Sequence, residues 1–138
     1  MKKYLVIGNP IEHSLSPLVH NFWFKKYRIS ESVYEKKKIE SSDLKNIVDQ
    51  VRNEKIKGVN ITVPFKKEII PFLDALKGDA QLTLSVNTLC KNNNEVIGFN
   101  TDTKGFKNSL KNEKIDYKNK NILIIGAGGV SSSILAAF

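Results

Sequence analysis

The sequence predicts an α/β domain: a mostly parallel sheet flanked by helices, with one antiparallel hairpin, followed by a short strand–turn–helix unit. Three observations carry this reading. Lys3 to Gly8 and Ile122 to Ile125 are apolar runs that end at glycine, as strands buried on both faces do. Stripes at helical spacing lie between strand-like stretches, the clearest being Leu44, Ile47, Val48 and Val51. Val86 to Lys91 and Glu95 to Asn100 flank Asn92-Asn93-Asn94, a hairpin turn. Strands alternating with helices favour parallel pairing.

In chain order, the first strand is followed by a loop, Asn9 to His13, and Ser14-Leu15-Ser16-Pro17 opens a helix. Ser16 reads as its N-cap and Pro17 as its first helical residue, with Leu18, Phe22 and Trp23 facing inward. Ser32 to Ile39 is a second strand, with Val33, Glu35 and Lys37 on one face and Tyr34 and Lys36 on the other. Ser42-Asp43 caps the Leu44 helix. In the next strand Val59, Ile61 and Val63 alternate with Asn60 and Thr62. Pro64 has no N–H for a ladder, so it ends that strand and starts a helix with Lys66 in its first turn. Pro71 kinks or restarts this helix, and a short helical turn follows Lys77-Gly78-Asp79. Thr101-Asp102 caps a helix running through Phe106 and Leu110. The polar, lysine-rich stretch after Lys111 reads as a linker, which divides the chain into 1–111, 112–120 and 121–138.

With 41% hydrophobic and 26% charged residues, the composition is that of a soluble globular protein. The net charge of +8 admits an acidic ligand or a nucleic acid. The lysines are scattered, however, and the densest run, Lys36-Lys37-Lys38, lies beside Glu35 and Glu40 without interleaved aromatics. A nucleic-acid platform is therefore disfavoured. A single cysteine, Cys90, excludes an intramolecular disulfide and a multi-cysteine metal site, and two histidines argue against zinc. Neither a signal peptide nor an apolar run of membrane-spanning length is present, so the expectation is a cytoplasmic protein with no membrane partner.

The stretch from Gly58 to Lys67 organises the chemistry. A lysine is out of place at a helix start, where partial positive charge favours anions and disfavours the ammonium form. An amine so placed suits proton transfer, whereas the plain alternative is one more solvated lysine. Ser14 and Ser16, two apart in a loop entering a helix, can offer both hydroxyls beside free N–H groups to a carboxylate. The simpler reading of each alone is a turn residue and a cap. Asp102 is either an N-cap or the carboxylate partner of Lys66, and Thr62 and Asn87 either bind substrate hydroxyls or bond loop backbone. His13 and His20 suit packing better than a proton relay, and Cys90 is most simply a small buried residue. Gly126-Ala127-Gly128-Gly129-Val130-Ser131, after an apolar strand, places backbone N–H groups where a pyrophosphate could sit. This makes the last segment the truncated start of a Rossmann-type βα unit, with Ser131 where a third glycine is usual.

Taken together these blocks resemble shikimate dehydrogenase, an NADP-dependent family of aromatic amino-acid (chorismate) biosynthesis. The matching blocks are Ile7-Gly8-Asn9-Pro10 with His13-Ser14-Leu15-Ser16-Pro17 and His20-Asn21, then Asn60 to Lys66, Val86-Asn87-Thr88-Leu89, Gly98-Phe99-Asn100-Thr101-Asp102 before Gly105, and the glycine-rich turn. The resemblance implies that Ser14 and Ser16 bind the substrate carboxylate and that Thr62, Asn87 and Asp102 hold ring hydroxyls. It further implies that Lys66, with Asp102, is the acid/base group while hydride passes between NADP and shikimate or 3-dehydroshikimate. The nucleotide would meet Gly126, Ala127, Gly128, Gly129 and Val130. Leu84-Ser85 departs from the glycine-alanine pair common in the family. Family members continue through a whole nucleotide domain, so a polypeptide of these residues alone is expected not to oxidise shikimate with NADP. The alternatives are a non-catalytic module that holds shikimate-like acids and a quinate/shikimate dehydrogenase relative.

Overall fold

The computed structural model describes residues 1–138. Six strands, β1 (Lys2–Gly8), β2 (Ser32–Lys38), β3 (Gly58–Ile61), β4 (Ala75–Lys77), β5 (Thr88–Asn92) and β6 (Glu95–Phe99), form one sheet in the order β2-β1-β3-β5-β6-β4. Pairing is parallel for β1 with β2, β1 with β3 and β4 with β6, and antiparallel on both sides of β5. Only β5 therefore runs against the rest. The helices are α1 (Ser16–Lys26), α2 (Leu44–Arg52), α3 (Asp79–Thr83), α4 (Asp102–Asn112) and α5 (Ser131–Leu135).

The alternation of β1 divides the core. Leu5 and Ile7 face the main cluster, where they meet Leu44, Ile47, Val48 and Val51 of α2, Val59 and Ile61 of β3, Leu89 and Val96. Val6 faces the other way, packing with Ile11 and Tyr34 beside Tyr4 and Phe24. The α2 stripe is thus the face that the sequence marks, and Asp43 accepts the Glu40 N–H at 2.9 Å to fix its entry.

Several elements differ from expectation. Leu18, Phe22 and Trp23 are exposed, because α1 is turned to offer Asn21 to the edge strand. The Asn21 amide donates to the Tyr34 carbonyl at 2.8 Å and accepts the Tyr34 N–H at 3.0 Å, satisfying backbone that β2 has no further strand to pair with. Leu15, not Ser16, is the N-cap of α1, and Pro17 is its second residue. Residues 63–69 make successive turns and a short 3₁₀ segment, Ile70–Phe72, rather than a helix. Two prolines remove donors that a helix would need, and Leu73 to Lys77 leads into the unforeseen strand β4 on the sheet edge. Ile122 to Ile125 is not a strand: it joins no ladder, and Leu123 and Ile125 are largely exposed. A strand needs neighbours to accept its hydrogen bonds. The helix beyond it nonetheless docks, burying Ser133 and Ala137, while Phe138 meets Phe106 and Tyr117 edge-on at ring distances of 5.8 and 5.0 Å.

We expect Ile47→Ala to destabilise the fold by about 2–5 kcal/mol, through lost burial and the cavity left in the α2 interface. Urea unfolding of this variant beside Lys45→Ala, which we expect to shift stability by less than about 0.5 kcal/mol, is the measurement.

Candidate active site

The sheet gathers the candidate residues along one edge. The carboxyl ends of β1, β3 and β6 lie there, and because β5 runs in the opposite sense its beginning lies there too. Lys66 follows β3, Asn87 immediately precedes β5, and Asp102 follows β6. The Lys66 Nζ donates to Asp102 Oδ2 at 2.7 Å, and these side chains are only 12% and 24% exposed. That excludes the reading of Lys66 as one more solvated lysine. The positive end of a helix is absent at Lys66, so the carboxylate of Asp102 is what defines its electrostatic setting.

Asn87 completes the pair. Its Nδ2 donates to Asp102 Oδ1 and to Thr101 Oγ1, each at 2.8 Å, and its Oδ1 accepts the Thr101 N–H at 3.0 Å. Asp102 is the first residue of α4 rather than its cap, which leaves the carboxylate free for Lys66 and Asn87. The capping oxygen belongs instead to Asn100, whose Oδ1 accepts the Asp102 N–H at 2.9 Å.

Ser14, Ser16 and Thr62 line one hollow of about 290 Å³ together with Val6, Pro10, Ile11 and His13. Ser14 Oγ accepts the Ser16 N–H at 3.4 Å. Thr62 joins this hollow to the turn carrying Lys66, and its backbone N–H donates to the Ile7 carbonyl at 3.0 Å. The close approach requires Gly8, since a Cβ there would stand 2.5 Å from Thr62 Cγ2 and 3.1 Å from the Val63 carbonyl oxygen. The two halves of the constellation are thereby held in register.

A polar chain joins them from below. The Tyr34 hydroxyl donates to Asn60 Oδ1 at 2.6 Å, Asn60 Nδ2 donates to Thr88 Oγ1 at 2.9 Å, and the Thr88 hydroxyl donates to Asn87 Oδ1 at 3.0 Å. Burial pushes the Tyr34 phenol up to about 12, against a smaller downward pull from the Ser16 hydroxyl, so it stays a neutral donor. His20 stacks on Tyr34 at 4.2 Å, and burial lowers its pKa, which fits the packing role. Sequence reasoning assigned no role to Tyr34, Asn60 or Asn100. Asn60, a polar residue alternating within β3, was the one signal available, since its partners lie on other strands.

The glycine-rich turn reaches the same place. Ser85 Oγ donates to the Gly129 carbonyl at 3.3 Å, and a Cβ on Gly129 would lie 3.9 Å from Lys66 Cδ. Gly126 has φ of +119°, and the N–H groups of Gly126, Ala127, Gly128, Gly129 and Val130 donate to no protein acceptor. Space beyond Gly126 and Gly128 is open to 4 Å, so the turn fits an anionic group that accepts from backbone amides.

Residues 6–89 match the family model described as the shikimate dehydrogenase substrate binding domain. The chain belongs to that family. It is 55% identical over 136 residues to the shikimate dehydrogenase (NADP(+)) of Pelagibacter ubique, covering 99% of this chain and 51% of that protein. Among solved structures it superposes on shikimate dehydrogenase 1 of Peptoclostridium difficile with a TM-score of 0.92 at 33% identity, covering 100% of this chain and 52% of that one. The Thermus thermophilus shikimate 5-dehydrogenase in complex with NADP(H) and shikimate gives 0.88 at 34% identity, covering 99% and 51%. The chain thus spans about half the length of the shikimate dehydrogenases it matches. No helix is long and apolar enough to cross a membrane.

Tyr34 gives a pH test. Its folded-state value lies above the roughly 10 of an exposed tyrosine, so its contribution is complete below that pH and is lost as pH rises toward about 12. We expect Tyr34→Phe to cost about 1 kcal/mol near neutrality and to flatten the loss of stability over that alkaline range. Denaturant unfolding at a series of pH values measures both effects, and an unchanged alkaline slope in the variant would exclude Tyr34 as its source.

Proposed function

We propose that this chain is the substrate-binding half of a shikimate dehydrogenase that interconverts shikimate and 3-dehydroshikimate with NADP. The observation that carries this is the 2.7 Å Lys66–Asp102 pair, with Asn87 on the second carboxylate oxygen, beside a hollow lined by Ser14, Ser16 and Thr62. A carboxylate with ring hydroxyls matches that set. Two serine hydroxyls suit the carboxylate, while Thr62, Asn87 and Asp102 suit hydroxyls that both donate and accept.

The chemistry then divides cleanly. A nicotinamide dinucleotide, when bound, supplies or removes the hydride at the substrate carbon, and the free amides from Gly126 to Val130 would meet its pyrophosphate. In the reducing direction Lys66, charged in its salt bridge, gives a proton to the carbonyl oxygen as that oxygen becomes a hydroxyl. In the oxidising direction the amine takes that proton back. Asp102 orients Lys66 and receives the neighbouring substrate hydroxyl, and Asn87 keeps the carboxylate from turning away. The names of relatives that carry NADP(+) and a relative's complex with NADP(H) and shikimate support this choice of ligands.

In a chimaera that adds the nucleotide-binding half of a relative, we expect Lys66→Ala to lower kcat by about 10²–10⁴-fold while KM moves far less. Near-normal turnover in that variant would remove Lys66 from proton transfer. For the 138-residue chain itself we expect calorimetry to detect shikimate. Ser14→Ala with Ser16→Ala should weaken that binding by about tenfold or more, because hydrogen bonds to a charged group are lost. Equal affinity in the double variant would place the substrate carboxylate elsewhere.

A further inference from the structure

We infer that Asn100 is the positioning residue that fixes the glycine-rich turn against the Lys66–Asp102 pair. The inference rests on the reading of that pair as the acid/base group. Asn100 is 6% exposed, and both ends of its amide are engaged. Its Oδ1 accepts the N–H groups of Asp102 at 2.9 Å and Thr103 at 3.4 Å. These residues open α4, so no carbonyl within the helix can take their N–H groups. Its Nδ2 donates toward the Ser85 carbonyl at 2.9 Å, Ser133 Oγ at 2.8 Å and Thr83 Oγ1 at 3.1 Å. Turning the amide over would set its NH₂ against two N–H groups, so the orientation is fixed.

The two ends belong to different parts of the site. Oδ1 holds the backbone of Asp102, while Nδ2 holds Ser133, in the helix that follows the glycine-rich turn, and Ser85, whose hydroxyl reaches the Gly129 carbonyl. Asp102 in turn holds Lys66 in the ion pair. The path runs from the Gly129 carbonyl through Ser85 and Asn100 to Asp102 and Lys66. Only an amide of this size supplies both an acceptor for α4 and donors for the turn. A displacement of the turn is therefore felt at the carboxylate, which makes Asn100 the point where nucleotide and substrate sites communicate.

The test uses the 138-residue chain, with amide hydrogen exchange by NMR and shikimate affinity by calorimetry, both well below the measured melting temperatures. Asn100→Ala should speed exchange at Asp102 and Thr103 by at least about tenfold and weaken shikimate by about tenfold. Ser133→Ala removes the acceptor on α5 and leaves the Ser85 carbonyl in place. It should speed exchange from Ser131 to Ala137 while leaving α4 protected and shikimate affinity within about twofold. Asn100→Ala that retains α4 protection and binds within twofold of wild type overturns the inference. Should that variant not fold, Ser133→Ala decides: unchanged exchange from Ser131 to Ala137 in that variant overturns the inference. If the unmodified chain binds no shikimate, the proposed function fails, while the exchange pattern still judges Asn100.

Discussion

The ion pair between Lys66 and Asp102 sets the terms for the rest of the site. Its partners come from the ends of different strands and meet where water is largely excluded. Removing a charge from water is costly, and attraction between the partners offsets that cost only when the remaining polar atoms are also satisfied. Asn87 provides that satisfaction, and its position follows from topology. Because β5 alone runs antiparallel, its beginning sits between the ends of β3 and β6. A sheet with every strand parallel would put Asn87 at the opposite edge. The hairpin is thus a requirement of the site as well as a way of closing the sheet.

Beneath the pair, the polar chain from Tyr34 through Asn60 and Thr88 to Asn87 is built of neutral groups. Neutrality matters there. A second charge beneath Asp102 would compete with Lys66 for the carboxylate or repel it, whereas hydroxyls and amides set direction without altering net charge. The chain starts on an outer strand at Tyr34, whose backbone is held by Asn21 and whose ring is covered by His20. Packing of α1 on the sheet therefore reaches the Lys66 pair through oriented bonds rather than through bulk.

Local pattern made much of this legible. The α2 stripe, the hairpin and the α4 helix are present where periodicity and turn residues put them, because each is determined within a few residues of itself. The face of α1 was not legible: Leu18, Phe22 and Trp23 outweigh Asn21 in apolar character, yet Asn21 faces the sheet because an edge-strand backbone needs it. The turn at 63–69 is not legible for a related reason, since Pro64 fits a helix start as well as it fits a turn. No helix end lies at Lys66, and it is the pairing with Asp102 that sets this lysine apart. Asn100 had no local signal because its bonding spans Thr83, Ser85, Asp102 and Ser133.

The pair Leu84-Ser85 shows how a strained residue can sit beside one that ties the fold together. Leu84 has φ of +45° and ψ of +45°, a left-handed conformation that glycine adopts freely and leucine at a cost of roughly 1–2 kcal/mol. The leucine side chain is 58% exposed, so burial returns little of this. Ser85 is fully buried, and its hydroxyl makes a bond to the Gly129 carbonyl that an alanine could not make. Such a bond contributes about 1 kcal/mol, the same order as the strain beside it. The two residues act on different things: Leu84 strains the end of α3, and Ser85 ties the glycine-rich turn to the substrate-binding body. In this chain the strained position and the tie to the glycine-rich turn are adjacent, and the bond is of the same order as the strain, so the two offset one another in the stability of this corner.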